Sequence, residues 1–244
     1  MKKISCIETK PLQYYKNIRI KADTGLHEQI ADIVRTTLPI GAKILDYGAG
    51  EGALSQRLYD MGYEVDSVDI EQEHFKAQTR FDKLDFNNNS AVAAFCEKHS
   101  GAFDLVLGIE VIEHVHNPWK YIQDLSHMTA PDGYILISTP NITSWYSRVN
   151  FFFKGRFHQF EDSDRHYGHI NPVSADELQM ICEHFGLVVD KIVPGGWLPR
   201  LWLSRYPPAL LMNLVGFFGS LFMKGLFNGW CIIALIRKPR PNIL

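Results

Sequence analysis

The chain has 244 residues, 46% of them hydrophobic, and its 25 Lys plus Arg against 27 Asp plus Glu leave a formal net charge of -2. That length and apolar content exclude a disordered chain, and the near-neutral balance supplies no global basic field, so no nucleic-acid partner is expected. Cys6, Cys96, Cys182 and Cys231 form no C-x-x-C pair, which argues against a disulfide framework or a thiolate zinc site and for a reducing, cytoplasmic setting.

At the N-terminus only a few apolar residues follow Lys2 and Lys3 before Glu8, too short a run for a signal-peptide core. Short β-rich runs then alternate with helical patterns, the signature of a parallel sheet with crossover helices. Lys43–Tyr47 reads as a strand, Gly48–Gly52 as a turn, and Ala53–Met61 as a helix with Leu54, Leu58 and Met61 on one face, closed by Gly62. Glu64–Asp69 is the second strand, Lys83–Phe86 a short third, and Phe103–Ile109 an apolar fourth. Asn117-Pro118 starts a helix that runs to about Met128, because Asn caps and Pro suits the first helical position. Pro131–Gly133 makes a turn before a fifth strand, Tyr134–Ser138, and Ser174–Glu177 is a capping box ahead of Leu178, Ile181, Cys182 and Phe185. Leu187–Val193 and Trp230–Ile236 read as the last two strands. The whole is expected as one domain over 1–244, with inserted segments at 142–172 and 195–228.

The turn Gly48-Ala-Gly50-Glu-Gly52 lets backbone approach a ligand closely and leads into a helix N-terminus, where free N–H groups attract negative charge. Gly48-x-Gly50-x-x-Ala53 also satisfies the dinucleotide fingerprint, so an NAD enzyme is a rival reading. Four acids add information: Asp46, Asp69 and Asp85 end three successive strands and Glu110 follows the fourth, which collects them along one rim of the sheet. Asp69 can accept both hydroxyls of a ribose. Asp46 sits before the glycines, where it would repel a pyrophosphate but stabilise a cationic centre. The NAD reading accounts for Asp69 but not for Asp46, Asp85 and Glu110 together.

Ile44-Leu-Asp-Tyr-Gly-Ala-Gly-Glu-Gly52, Ser67-Val-Asp-Ile70, Leu84-Asp-Phe86, Phe103–Val106 with Glu110-Val-Ile-Glu-His114, and Pro131-Asp-Gly133 occur in that order. As a set they resemble the class I S-adenosylmethionine (SAM) dependent methyltransferases, and Glu110–Val115 with Ser138–Asn141 resembles their ubiquinone O-methyltransferase-like branch. The resemblance implies a Rossmann-like, doubly wound seven-stranded sheet, mostly parallel with an antiparallel last strand, and SAM as cofactor. It further implies that Asp46 with Gly48, Ala49, Gly50 and Gly52 holds the methionine part, Asp69 with Ile70 the ribose, and Asp85 with Phe86 the adenine, while Gly108 and Glu110 line the same site. Ala49 stands where the family often carries Cys. Residues 1–40, with Tyr15 and His27, are expected as a helical segment over the cofactor. A hydroxyl acceptor benefits from a base near neutrality, and His114, then His169, are the candidates ahead of His166. Relatives with a Glu-x-x-Glu-His group can hold a divalent metal, for which Glu110, Glu113, His114 and His169 are candidates here. Many small-molecule methyltransferases carry the run without metal, and no metal is assigned.

Trp145–Phe160 carries seven aromatics, and Pro207–Met223 is seventeen residues without charge. A spanning helix needs about twenty apolar residues, and this run lies between two strands expected to pair. It reads instead as a helical lid over an apolar substrate, a helix dipping into a membrane surface, or core packing. Arg200, Arg205 and Lys224 flank it and could meet lipid phosphates, so peripheral membrane contact through 200–227 stands as one of these readings. The acceptor is then a small apolar or lipid-like molecule. The alternatives are a non-catalytic SAM-binding or membrane-associated scaffold and a metal-assisted RNA or quinone methyltransferase.

Overall fold

A computed structural model describes residues 12–162, 164, 168–198, 207–220, 222 and 225–240. His166, Cys6, Arg200, Arg205 and Lys224 lie outside them. In chain order the elements are β1 (Gln13–Tyr15), β2 (Ile18–Ile20), α1 (Leu26–Thr37), β3 (Lys43–Tyr47), α2 (Ala53–Asp60), β4 (Glu64–Asp69), β5 (Arg80–Lys83) and α3 (Asn89–Lys98). There follow β6 (Phe103–Ile109), α4 (Pro118–Met128), β7 (Thr129–Pro140), α5 (Trp145–Lys154), α6 (Ala175–His184), β8 (Val188–Gly195), α7 (Pro207–Ser220) and β9 (Cys231–Arg237).

Strands β3 to β9 form one seven-stranded sheet in the order β5-β4-β3-β6-β7-β9-β8. Neighbours pair in parallel except β9, which runs antiparallel between β7 and β8. The chain leaves β3 towards β4 and β5, then returns to β6 on the other side of β3. This reversal opens a crevice at the carboxyl ends of the strands. Both faces are covered. Leu45, Val106 and Ile135 pack with Val92, Ile122 and Ile181 from α3, α4 and α6, while Ile44, Leu107 and Leu136 pack with Ile30, Leu58 and Trp145 from α1, α2 and α5. Alternate side chains of a strand point to opposite faces, so β-branched and leucine runs without polar interruption are what such a doubly covered sheet requires.

The expected caps form: Asn117 Oδ1 accepts from Lys120 N at 3.1 Å and Ser174 Oγ from Glu177 N at 3.0 Å. Four details differ from the sequence reading. The third strand spans Arg80–Lys83 rather than 83–86, because β5 pairs only with β4, through Asp66 to Asp69, and Leu84 is spent on the core. Pro131–Gly133 lies inside the long β7 as an irregularity, where Asp132 adopts φ 61 and its N–H donates to Lys238 O at 2.8 Å. Helix α3 was not anticipated, although Asn88 caps it. Ahead of α1 stands the β1–β2 hairpin rather than further helix.

The two inserted segments touch. Helix α5 packs on α7, and a Cβ at Gly216 would come within 2.2 Å of the Trp145 ring, so glycine sets that close approach. Among the described residues no helix is long and apolar enough to cross a membrane.

Buried Asn141 ties the end of β7 to the approach of β9. Its Nδ2 donates to Leu226 O at 2.8 Å and Asn228 O at 2.9 Å, and its Oδ1 accepts from Thr143 N at 3.0 Å. Replacing it by Leu strands those buried groups, so Asn141→Leu is expected to lower the unfolding free energy by about 2–4 kcal/mol in urea titration. An unchanged midpoint would show that the amide carries no such role.

Candidate functional site

At the carboxyl end of β3 the backbone turns sharply, with Gly48 N and Ala49 N donating to Val68 O at 2.8 and 3.0 Å. Gly48 has φ 114, and a Cβ there would lie 2.2 Å from Val111 Cγ2, so no other residue fits. Gly50 N donates to Asp69 Oδ2 at 2.8 Å, while Asp69 Oδ1 accepts from Ile70 N at 2.7 Å and Glu71 N at 3.3 Å. The loops after β3 and β4 are thereby held together by one carboxylate. They line a cavity of about 680 Å³, a size suited to a small-molecule ligand.

Asp46, Gly48, Ala49, Gly50, Asp69, Ile70, Asp85, Phe86 and Glu110 all line this cavity, as do His114 and His169. Gly52 and Gly108 do not border it. A Cβ on Gly52 would strike Phe75 and Ala77 at 2.7 Å, and one on Gly108 would sit 2.5 Å from Tyr121 Oη. These glycines admit neighbouring side chains rather than a ligand. Phe86 stacks on Tyr47 with ring centroids 4.3 Å apart, and Asp85 Oδ1 accepts from Asn87 N at 2.9 Å.

Asp46 is buried, and among the described residues its side-chain partner is Ser55 Oγ, which donates at 2.6 Å. Burial, reinforced by the nearby Asp69 charge and only partly offset by Ser55, pushes its pKa up to about 6. An anion held in this way is stabilised by a cationic ligand.

The opposite wall is assembled from distant sequence. The Glu113 carbonyl accepts from Ile170 N at 2.9 Å and Asn171 N at 3.1 Å, and Asn171 Nδ2 donates to Val115 O. This brings the His114 and His169 rings to 4.8 Å, edge to face. His169 Nδ1 lies 2.8 Å from Gln159 O. A carbonyl only accepts, so in this contact Nδ1 carries a proton and Nε2 is the ring nitrogen left for other groups. Glu113 is completely buried; its Oε2 accepts from Thr139 Oγ1 at 3.0 Å, and its Oε1 makes no hydrogen bond among the described residues, with His114 Nε2 4.0 Å away. Burial, with Glu110 adding to it, raises the Glu113 carboxyl well above the usual range.

Glu113, His114 and His169 each offer a ligand atom within 4.8 Å of the others. Glu110 stands apart from this group. It adopts φ 56, its Oε1 accepts from Ser138 Oγ at 2.8 Å, and its Oε2 from Cys231 Sγ at 3.3 Å. Strand β9 thus takes the carboxylate that the sequence grouped with the histidines.

The hairpin and α1 contribute residues that sequence spacing did not single out: Arg19, Lys21 and Asp23 border the cavity beside His27. Burial, with the Arg57 charge adding to it, lowers His27 to about 4, so it is neutral near pH 7. Tyr15 stays outside the cavity lining; its hydroxyl donates to Asp60 Oδ2 at 2.9 Å, and Arg57 lies 4.4 Å over its ring. Alternation of polar and apolar residues in Ile18–Ile20 was the available signal for the hairpin, but three residues are too few to read.

A family model described as methyltransferase domain matches residues 22–192. The chain is similar to the ubiquinone biosynthesis O-methyltransferase of Caulobacter sp. (strain K31), 31% identical over 42% of this chain and 42% of that protein. It is 38% identical to the mitochondrial one of Arabidopsis thaliana over 42% of this chain and 34% of the relative. The match thus spans less than half the length of either relative. Among solved structures, a SAM dependent methyltransferase from Archaeoglobus fulgidus superposes with a TM-score of 0.57 at 20% identity, covering 87% of this chain and 94% of that one. A putative sarcosine dimethylglycine methyltransferase from Galdieria sulphuraria gives 0.56 at 16%, covering 87% and 85%. At these identities the superpositions establish the Rossmann-like fold.

Asp46 links the cavity to stability. Its folded pKa, near 6, exceeds the ordinary value of 3.8, so the folded state holds the proton more tightly. Its contribution is full below about pH 4 and is lost as pH rises through 6. Asp46→Asn is expected to be more stable than the parent chain at pH 7.5, by about 2–3 kcal/mol, with the gap closing towards pH 4. Denaturant melts at the two pH values check this; a gap independent of pH would refute it.

Proposed function

The chain belongs to the methyltransferase-domain family, and from that premise we propose that it transfers a methyl group from SAM to an oxygen of a small, apolar, quinone-type acceptor. The observation that carries the reading is the pairing of a buried, cation-seeking Asp46 with an Asp69 already aimed by three loop amides. SAM, when bound, supplies an electrophilic methyl on a sulfonium centre. The residues fit it: Asp46 would face its cationic methionine portion, the side-chain-free Gly48–Gly50 backbone would approach it, Asp69 would accept from its ribose, and Asp85 with Phe86 would border its adenine. Hairpin residues Arg19 and Lys21 would close over the same end.

Methyl transfer needs alignment, exclusion of water and removal of the acceptor's proton. His169, its Nδ1 proton committed to Gln159 O, would present Nε2 as the base. His114 borders the same wall, and its edge-to-face contact with His169 would hold that ring. Family relatives named for ubiquinone biosynthesis support a lipid-like acceptor. A scaffold reading would predict tight SAM-product binding with no transfer to any acceptor.

The grouping of Glu113, His114 and His169 favours a second reading, in which they hold a divalent cation that activates the acceptor hydroxyl. Glu113 Oε1, which makes no hydrogen bond among the described residues and lies 4.0 Å from His114 Nε2, and two imidazoles are a donor set suited to borderline metals. Elemental analysis after manganese or zinc loading decides between the readings: metal retained by the parent chain and lost in Glu113→Gln supports the cation, and negligible metal in both removes it.

Calorimetry with S-adenosylhomocysteine tests the main proposal. Binding in the micromolar range is expected, weakening at least tenfold in Asp69→Ala and weakening as pH falls below 6, where Asp46 gains its proton. Absence of binding by the parent chain would sink the reading. Transfer of labelled methyl to a catechol or hydroquinone probe should fall at least a hundredfold in His169→Ala while binding of the product analogue persists.

A further inference from the structure

Helix α7 carries no charged residue between Pro207 and Ser220, yet one side of it faces outward. Leu211, Leu214 and Phe218 are 61%, 40% and 59% exposed, and their spacing of three and four places them on one stripe. Phe222, 86% exposed, continues the series. The opposite side is fixed, since Gly216 abuts the buried Trp145 of α5. Helix α5 in turn ends in Phe151, Phe152 and Phe153, which are 47%, 81% and 56% exposed. Such a concentration of exposed large apolar side chains on two packed helices marks a binding surface.

We infer that the outward faces of α5 and α7 form one surface that inserts into a phospholipid bilayer and brings the mouth of the cavity to the lipid phase. Three observations favour a bilayer as the occupant. The stripe is the convex flank of a helix, which can enter the acyl boundary without a matching groove. The cations Lys154 and Arg156 stand directly beyond the phenylalanine triplet, balanced by Glu161 at 3.0 Å and Asp162 at 3.0 Å. Phe and Leu on the apolar side with Lys and Arg at its edge is the composition of a helix lying in a membrane interface. The surface is also continuous with the cavity wall: Phe151 stacks on Phe157 with centroids 4.7 Å apart, and Phe160 lies 5.6 Å from the His169 ring. Gln159, between those phenylalanines, lines the cavity with His169. A bilayer-resident acceptor would pass from the lipid to the histidines along Phe151–Phe160 without crossing water. That access route rests on the methyl-transfer reading; the docking surface does not.

Sedimentation of the full chain with phosphatidylcholine vesicles is expected to pellet the protein. A Phe152→Ser, Phe218→Ser, Phe222→Ser triple variant, altered only at exposed positions, should partition roughly a hundredfold less while binding S-adenosylhomocysteine unchanged. A parent chain that binds the product analogue but stays in the supernatant overturns the bilayer surface and leaves the methyl-transfer reading standing. Vesicle binding without analogue binding supports the surface and removes the access route. Undiminished vesicle binding by the triple variant refutes the assignment to these residues. A dimer that dissolves in the variant, with no vesicle binding by the parent, assigns the patch to a second copy and overturns the inference.

Discussion

Three backbone amides, from Gly50, Ile70 and Glu71, converge on the carboxylate of Asp69, and the geometry of the cavity follows from that convergence. Loops after neighbouring strands are ordinarily the most mobile parts of an α/β domain. Here the β3 loop and the β4 loop become one body, because a charged acceptor satisfies donors from both and such bonds are roughly twice as strong as neutral ones. The turn can be this tight only where the chain has no side chain, as the Gly48 approach to Val111 shows. Rigidity in the turn then fixes Ala53 at the start of α2 and leaves Asp46 buried behind the backbone with Ser55 as its donor.

The far wall has a different origin. Its anchor is the Glu113 main-chain carbonyl, which ties residues 170 and 171 to the loop after β6. That tie places two histidines from separate segments in ring contact and leaves one carboxylate oxygen of Glu113 without a hydrogen bond among the described residues, with His114 Nε2 4.0 Å away. A buried oxygen without a hydrogen bond is costly to keep, and its cost is the kind of local imbalance expected where a ligand or a proton has to be handled. Glu110 lines the cavity between the two walls, and its carboxylate, on a residue with left-handed backbone, accepts from Ser138 and Cys231.

Most of the architecture was readable because parallel strands buried on both faces leave uninterrupted apolar runs, and because Asn117 and Ser174 announce helix starts by chemistry local to them. The edge strand β5 was displaced by three residues since Arg80–Lys83 has no apolar signature and owes its extended form to β4 alone. In the site, the acids at strand ends were legible as a set: a parallel sheet fixes where its carboxyl ends go. The glycines were less so. A glycine reports that something comes close, and the sequence does not say whether it lines an open cavity, as at Gly50, or admits Tyr121, as at Gly108. Likewise the orientation of Glu110 depends on Cys231, a partner far along the chain that no local pattern reveals.

Strand β9 has a consequence for the order in which the molecule can be made. It is inserted between β7 and β8, and among the described residues β8 pairs with no other strand. Until β9 is synthesised, β8 hangs as an orphan and β7 presents a bare hydrogen-bonding edge. The register Tyr134↔Arg237 and Ile135↔Ile236 joins residues about a hundred positions apart, the kind of non-local closure that slows folding. During that interval an apolar strand edge and the uncharged α7 are exposed together. A nascent chain of this protein is therefore most vulnerable to misassembly between the synthesis of β8 and that of β9, when the rest of this sheet is already built.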